Sequence, residues 1–296
     1  MLVFRRLKKY GTAYLFVLPC AIAIVIMTIY PLIQVLTFSV SKVTLPDFAC
    51  EFTGLDNFVR ILKKGDFHRI VINTVLWTVV GMTLRFLIGF GSALLMDSGM
   101  KGMTPFRIIT LVPWVVPSIV ASNTWRWIYN TDNGLLNGVL RKVDPFLTIN
   151  WLGSKDTAMG AVLTAYGWMG FPFVMLMILA GMQGIPKDYK EAAQIDGANG
   201  FQVFWHVTLP GLKNILVILA VLELINGFNS FDLLYTMTAG GPGIATEILG
   251  LFIYRTAFSN YDFAGASAVG VMLIVVILIC FLLYVPATAK GKGGKV

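Results

Sequence analysis

Residues 157–181 read TAMGAVLTAYGWMGFPFVMLMILAG, a run of 25 positions without one charged side chain. A helix rises about 1.5 Å per residue, and the hydrocarbon core of a bilayer takes about 20 mostly apolar residues to cross. Inside that core no water pairs with backbone N–H and C=O groups, so the spanning form expected here is a helix. Working outward along the 296-residue chain, five further segments qualify, at 12–40, 71–96, 104–128, 212–235 and 265–287. Polar stretches at 41–70, 97–103, 129–156, 182–211 and 236–264 separate them. The expected fold class is all-α: a polytopic membrane protein with six transmembrane helices, forming a single domain over residues 1–296. An even number of spans puts both termini on one side.

Composition agrees with this. Hydrophobic residues make up 57% of the chain and charged residues 13%, where soluble domains carry about 45–50% and about 25%. Disordered, collagenous and ordinary soluble classes are excluded. Three cysteines are too few for a disulfide scaffold. Cys20 and Cys280 fall in apolar runs and Cys50 in a loop, with no metal spacing. The net charge of +8 resides mostly at the ends of apolar runs, where it anchors the chain to anionic lipid and sets topology rather than binding nucleic acid. By count, 12 lysines and arginines lie on the side of the termini and 10 on the other, with Arg85 inside a span. The inside segments are shorter, so their density is higher. The cluster Arg5, Arg6, Lys8, Lys9 and the tail lysines Lys290, Lys292 and Lys295 flank the first and last spans directly. N- and C-termini are therefore expected in the cytoplasm. The basic N-terminus resembles a signal peptide, but its apolar run continues from Tyr14 to about Val40, far beyond the roughly 7–15 residues of a signal core. It is read as a retained first transmembrane helix. Pro19, Pro31, Pro113, Pro117 and Pro172 predict kinks within the spans.

The loop 182–211 is unusually structured. Pro186 suits a first helical turn, and KDYKEAAQID (187–196) favours helix through Lys, Glu, Ala and Gln. Gly197 then supplies a left-handed stop. A second short helix follows, because Phe201, Phe204, Trp205 and Thr208 recur at i, i+3, i+4 and i+7. Pro210 breaks the chain or starts it into the fifth span. In that span, Glu223, Asn226, Gly227 and Ser230 share one polar helix face with Asn229 beside it. In the fourth, Tyr166, Met169, Gly170 and Phe173 have the same spacing, with Trp168 nearby. Charge inside a span costs about 2.5–3.5 kcal/mol on insertion scales, so Arg85 and Glu223 either pair with each other or face a water-filled cavity. Arg85 and Arg126 leave an anionic cargo open.

The segment EAAQIDGANGFQVFWHVTLP (191–210) resembles the EAA loop of binding-protein-dependent ABC importer permeases. The family pattern is E-A-A, three residues, G, nine residues, I-x-L-P. Glu191, Ala192, Ala193, Gly197, Leu209 and Pro210 match it, and Val207 replaces the usual Ile. GLDNF (54–58), NT (73–74), TAGGP (238–242) and IYRTAF (253–258) resemble the sugar-importing, maltose/glycerol-phosphate branch. The resemblance implies a type I ABC importer permease fold in the inner (cytoplasmic) membrane of a bacterium. It implies that 182–211 is a cytoplasmic coupling loop, in which Glu191, Ala192, Ala193, Asp196, Gly197, Leu209 and Pro210 meet an ATPase subunit. It further implies a second homologous permease, an ATPase dimer and a periplasmic or extracellular substrate-binding protein as partners. Outer segments such as 54–70, with Phe58, Ile61 and Leu62, and the Gly-rich loop 236–264 would meet that binding protein.

The cargo implied is a sugar or sugar derivative, held mid-membrane between the fourth and fifth spans. Tyr166, Trp168, Met169, Gly170, Phe173, Glu223, Asn226, Gly227, Asn229 and Ser230 are its candidate contacts, because sugars take hydrogen-bonding groups together with aromatic faces. The chain contains no G-x-x-x-x-G-K-[ST] phosphate loop, and His68 and His206 form no catalytic or metal cluster. It is therefore expected to be no enzyme and to carry no cofactor, with ATP and Mg bound by the partner ATPase. The alternative is an ion-coupled secondary transporter, which would use matched halves and paired intramembrane acids; only Glu223 qualifies. A membrane-embedded enzyme would need a catalytic cluster.

Overall fold

The computed structural model describes residues 15–98 and 103–289, which divide into two compact units. Among the described residues, five helices are long and apolar enough to cross a membrane, or six if one sharply bent pair counts as a single span.

The first unit comprises residues up to Lys64 together with Ile253–Ile274. Helix α1, Leu15–Ser39, contains a wide turn at Val25–Ile29 where the Tyr30 N–H reaches back to Val25 O. Pro31 follows at once. Its missing N–H would leave a gap in a regular helix, and the wider turn absorbs it. From Leu15 to Gln34 every α1 side chain is exposed, a long apolar surface suited to lipid or to another helix. A hairpin follows, β1 (Ser41–Thr44) antiparallel to β2 (Ala49–Phe52), with Ser41 opposite Phe52. Helix α2 spans Asp56–Leu62. Buried Asn57 on it donates to the carbonyls of Ser39 (3.1 Å) and Ser41 (2.8 Å), fixing the hairpin's base. Ile61 is buried while Leu62 is exposed. Arg60 grips Asp262 with two hydrogen bonds of 2.7 and 2.9 Å. Burial pushes the Asp262 carboxyl up, but the bonds from Arg60 and from the Gly265 N–H outweigh it and hold the group below the usual carboxylate range.

The second unit holds Gly65–Phe252 and the chain from Val275 onward. In order come α3 (Phe67–Asp97), α4 (Met103–Val115), α5 (Ser118–Ile128), α6 (Leu135–Val143) and α7 (Ala158–Gln183). Then follow α8 (Lys187–Ile195), α9 (Gly200–Phe228), α10 (Asp232–Thr238), α11 (Leu249–Tyr254) and α12 (Phe263–Ala289), of which α11 ends and α12 begins within the first unit's Ile253–Ile274. The central pair is α3 against α7. A Cβ at Gly89 would lie 3.0 Å from the Met175 nitrogen and the Phe171 oxygen, so the two backbones approach as small residues permit. Around this pair lie two buried clusters. One is built on Trp77, Leu163, Tyr166 and Leu234, the other on Met175, Ile178, Leu212 and Leu219.

Three expected boundaries change. The third span is broken: α4 and α5 meet at 99° instead of forming one kinked helix over 104–128. Pro117 cannot donate into the helix and its ring disfavours a helical Val116, so the chain leaves the helix there and Pro117 caps α5 with ψ 139°. The fifth span ends at Phe228, not near residue 235; Asn229 caps it and α10 starts afresh at Asp232. At its other end Pro210 makes no break. A wide turn at Phe204–Thr208, closed by the Leu209 N–H on Phe204 O, carries α9 through from Gly200. This is the device seen at Pro31.

The NT segment meets the loop that follows TAGGP. Asn73 Nδ2 donates to the carbonyls of Ile244 (2.8 Å) and Glu247 (3.2 Å), and Thr74 Oγ1 accepts from the Leu249 N–H at 2.9 Å. Thr246 Oγ1 lies 2.7 Å from Thr238 Oγ1 and 2.8 Å from the Gly241 carbonyl. Asn73→Ala strips a buried donor from two carbonyls, and is expected to cost about 1–3 kcal/mol. Thermal unfolding of the purified chain checks this, and an unchanged midpoint would contradict the anchoring role.

Candidate solute cavity and coupling helix

A cavity of about 420 Å³ opens beside α7, lined by residues of α3, α4, α5, α9 and α10. Its floor is an ion pair. Arg85 Nη1 lies 2.7 Å from Glu223 Oε2, with both side chains buried. Arg85 also donates from Nε to Tyr166 O at 3.1 Å, and its guanidinium carbon sits 3.4 Å from the centre of the Tyr166 ring. The planar fork of arginine suits this three-way grip, which a lysine could not reproduce. Gly170 makes it possible, because a Cβ there would collide with the guanidinium. Glu223 additionally accepts from Asn226 Nδ2 at 3.5 Å. The two readings left open for Arg85 and Glu223 are thus both realised: they pair, and they face a cavity.

Of the residues singled out from spacing, Tyr166, Met169, Gly170, Phe173, Glu223, Asn226, Asn229 and Ser230 line this cavity. Two do not. Trp168 stands two positions from Tyr166, roughly 200° around a helix, and packs edge-on against Trp125 at 5.7 Å. Gly227 lies against Thr78, where a Cβ would come within 2.8 Å of the methyl group. Ser230 belongs to the lining although it lies past the end of α9, and its hydroxyl donates to Asn226 O at 2.7 Å. Pro113, Trp114, Val116, Ser118, Phe231, Asp232 and Leu233 complete the wall. The first four lie at or beside the break between α4 and α5, which a continuous third span would have kept along a helix face. Trp114 reaches Phe173 at 6.2 Å.

Helix α8 is the second feature. None of its residues is buried, and Tyr189 (63% exposed) and Ile195 (86%) stand out from it. It ends as the sequence predicts. Gly197 has φ +85°, its N–H bonds to Gln194 O at 3.0 Å, and the Ala198 N–H bonds to Ala193 O at 2.9 Å, the double bond of a Schellman stop. Asn199 then opens α9 with a capping box shared with Gln202. Lys190 Nζ to Asp97 Oδ2 at 3.0 Å ties α8 to the end of α3. Glu191 and Ala192 are exposed. Ala193, Asp196, Gly197, Ala198, Gln202, His206 and Val207 surround a shallow hollow. Leu209 and Pro210 follow the wide turn of α9, Leu209 partly buried and Pro210 exposed. The expected stripe is only partly apolar-inward: Thr208 is buried and Phe204 packs on Phe90 at 5.6 Å, whereas Phe201 is 72% exposed.

Residues 66–288 match the family of binding-protein-dependent transport system inner membrane components. The chain belongs to that family. The permease is 36% identical to the trehalose/maltose transport system permease protein of Thermococcus litoralis, over 92% of this chain and 91% of that one. It is 32% identical to the sulfoquinovosyl glycerol transport system permease protein of Agrobacterium fabrum, over 88% and 85%. It is also 31% identical to the diacetylchitobiose uptake system permease protein of Streptomyces coelicolor, over 90% and 83%. In structure it resembles a chain of a bacterial ABC transporter involved in alginate import, with TM-score 0.87 and 19% identity over 99% of this chain and all of that one. It resembles a chain of a methionine ABC transporter less closely, with TM-score 0.55 over 79% and 98%. The fold is therefore that of a type I importer permease. The protein is a multi-pass inner-membrane permease subunit that forms a translocation path, and the ion-coupled alternative has no counterpart among these relatives.

Proposed function

We propose that this permease forms half of the path of an ATP-driven sugar importer. It pairs with a second homologous permease, and two ATPase subunits that bind ATP and Mg dock on its cytoplasmic side. An external substrate-binding protein delivers the cargo, a sugar or sugar derivative in keeping with the names of its relatives. N- and C-termini lie in the cytoplasm of a bacterium, on the side of α8. The observation that carries this reading is α8 itself: a short helix with no buried residue, ended by a fixed stop and tethered by Lys190 to Asp97. A rigid exposed helix of this kind can seat in a cleft and move as a lever when the ATPase halves close. Glu191 offers its carboxylate to a donor on the ATPase, while Ala192 and Ala193 keep the seated face thin. In the cavity, Asn226, Asn229 and Ser230 supply hydrogen bonds, and Tyr166, Trp114 and Phe173 supply aromatic faces for sugar C–H groups.

The test is a cross-link. With Cys20, Cys50 and Cys280 replaced by serine, a cysteine introduced at Ala192 is expected to cross-link to the co-expressed ATPase, and the yield should change when ATP is added. A cysteine at Phe52, on the hairpin, should give no ATPase cross-link. Equal yields at both positions, or none at Ala192, would overturn the docking assignment.

A further inference from the structure

The ionisable groups around the cavity are unevenly matched. Arg85, Glu223 and Asp232 line it, so one arginine faces two carboxylates. The arginine is not free for a ligand. Its charge is answered by Glu223 at 2.7 Å, its Nε by a backbone carbonyl, and its face by the Tyr166 ring. The room that holds it is fixed by Gly170. Arg126, the other arginine that left an anionic cargo open, is exposed on α5 and does not line the cavity. Asp232 is exposed and opens α10, where a carboxylate suits the helix start. The remaining polar lining is neutral: Ser118, Asn226, Asn229 and Ser230.

From this we infer that the cavity takes uncharged oligosaccharides and turns away sugar anions such as uronates and sulfonates. The inference rests on the sugar reading above and narrows it. A hydroxyl-rich neutral ligand finds amides, hydroxyls and carboxylate acceptors here. A ligand carboxylate or sulfonate meets a surplus of negative charge there, with no uncommitted cation among the lining residues. Like charges brought close together repel.

The test uses the purified permease–ATPase assembly without its binding protein, so that the cavity alone selects. Labelled maltose, trehalose and maltotriose are compared by equilibrium dialysis with a disaccharide ending in glucuronate and with the methyl ester of that same disaccharide. At least one neutral sugar is expected to bind about tenfold or more tightly than the uronate, the factor one nearby unit charge commands in such a site. The ester should recover most of the difference, since it restores neutrality and keeps the shape. Asp232→Asn should shift the ratio of uronate to neutral-sugar affinity several-fold toward the uronate. Uronate binding equal to or tighter than neutral binding, an ester no better than the acid, or an unmoved preference in Asp232→Asn would each overturn the inference and leave the sugar reading standing. Failure of every sugar to bind an assembly that still hydrolyses ATP would sink both.

Discussion

Glu223→Ala is expected to destabilise the permease by about 3–5 kcal/mol, the cost of leaving one member of a buried pair without its partner. Arg85 keeps its place over Tyr166 when its partner is removed, since it is buried and held by the backbone at 3.1 Å. The destabilisation therefore reports the stranded cation rather than the lost packing of Glu223. Replacing both members by apolar residues of similar volume, Arg85→Met with Glu223→Leu, should recover much of the thermal stability, because the desolvation cost of both charges disappears. Uptake should not recover, because the cavity loses the polar pair that lines it. Glu223→Gln keeps shape and hydrogen bonding, and should assemble while transporting less. Melting temperatures and solute uptake of the four proteins decide the matter. A single variant that melts with the wild type, or a double variant as unstable as the single, would show that the pair does not hold the cavity floor.

Gly197→Val is expected to cut uptake about tenfold or more while leaving the melting temperature nearly unchanged. The two effects separate for a structural reason. At φ +85° a β-branched residue is strained by about 1–3 kcal/mol, and each 1.4 kcal/mol is a factor of ten in an equilibrium. No atom lies within 4 Å of where its Cβ would stand, so the strain is in the backbone and not in a clash. Helix α8 buries no side chain. Loosening its stop therefore removes little from the core but destroys the fixed angle between α8 and α9. ATP hydrolysis should continue, uncoupled from solute entry. Wild-type uptake by Gly197→Val would mean that the angle is not used.

Much of this was readable in residue order, and the limits have physical causes. Runs such as 157–181 declare themselves because a bilayer demands unbroken apolar length. Gly197 was legible because a left-handed stop leaves few choices of residue. The cavity face on α7 followed from helical spacing, and Tyr166, Met169, Gly170 and Phe173 indeed share one wall. Spacing failed where a helix did not continue. Asp232 and Phe231 reach the cavity only because α9 ends at Phe228, and Trp114 and Ser118 only because the chain bends by 99° between Val115 and Ser118. Whether a proline kinks, breaks or is absorbed depends on its surroundings. Pro31 and Pro210 are accommodated by wide turns, Pro172 stays inside α7, and Pro117 starts a new helix. The hairpin at 41–52 gave no signal, as its strands have four residues each. Trp168 was misplaced by proximity in sequence, which on a helix is not proximity in space.

The most direct measurement is solute entry into proteoliposomes carrying this permease with the proposed partner permease, ATPase and binding protein, energised in turn by ATP and by a proton gradient. ATP enclosed with the ATPase should drive accumulation of a neutral sugar, and the gradient alone should drive none. Accumulation by the gradient in vesicles lacking the ATPase would contradict the assignment of this chain to a nucleotide-driven importer.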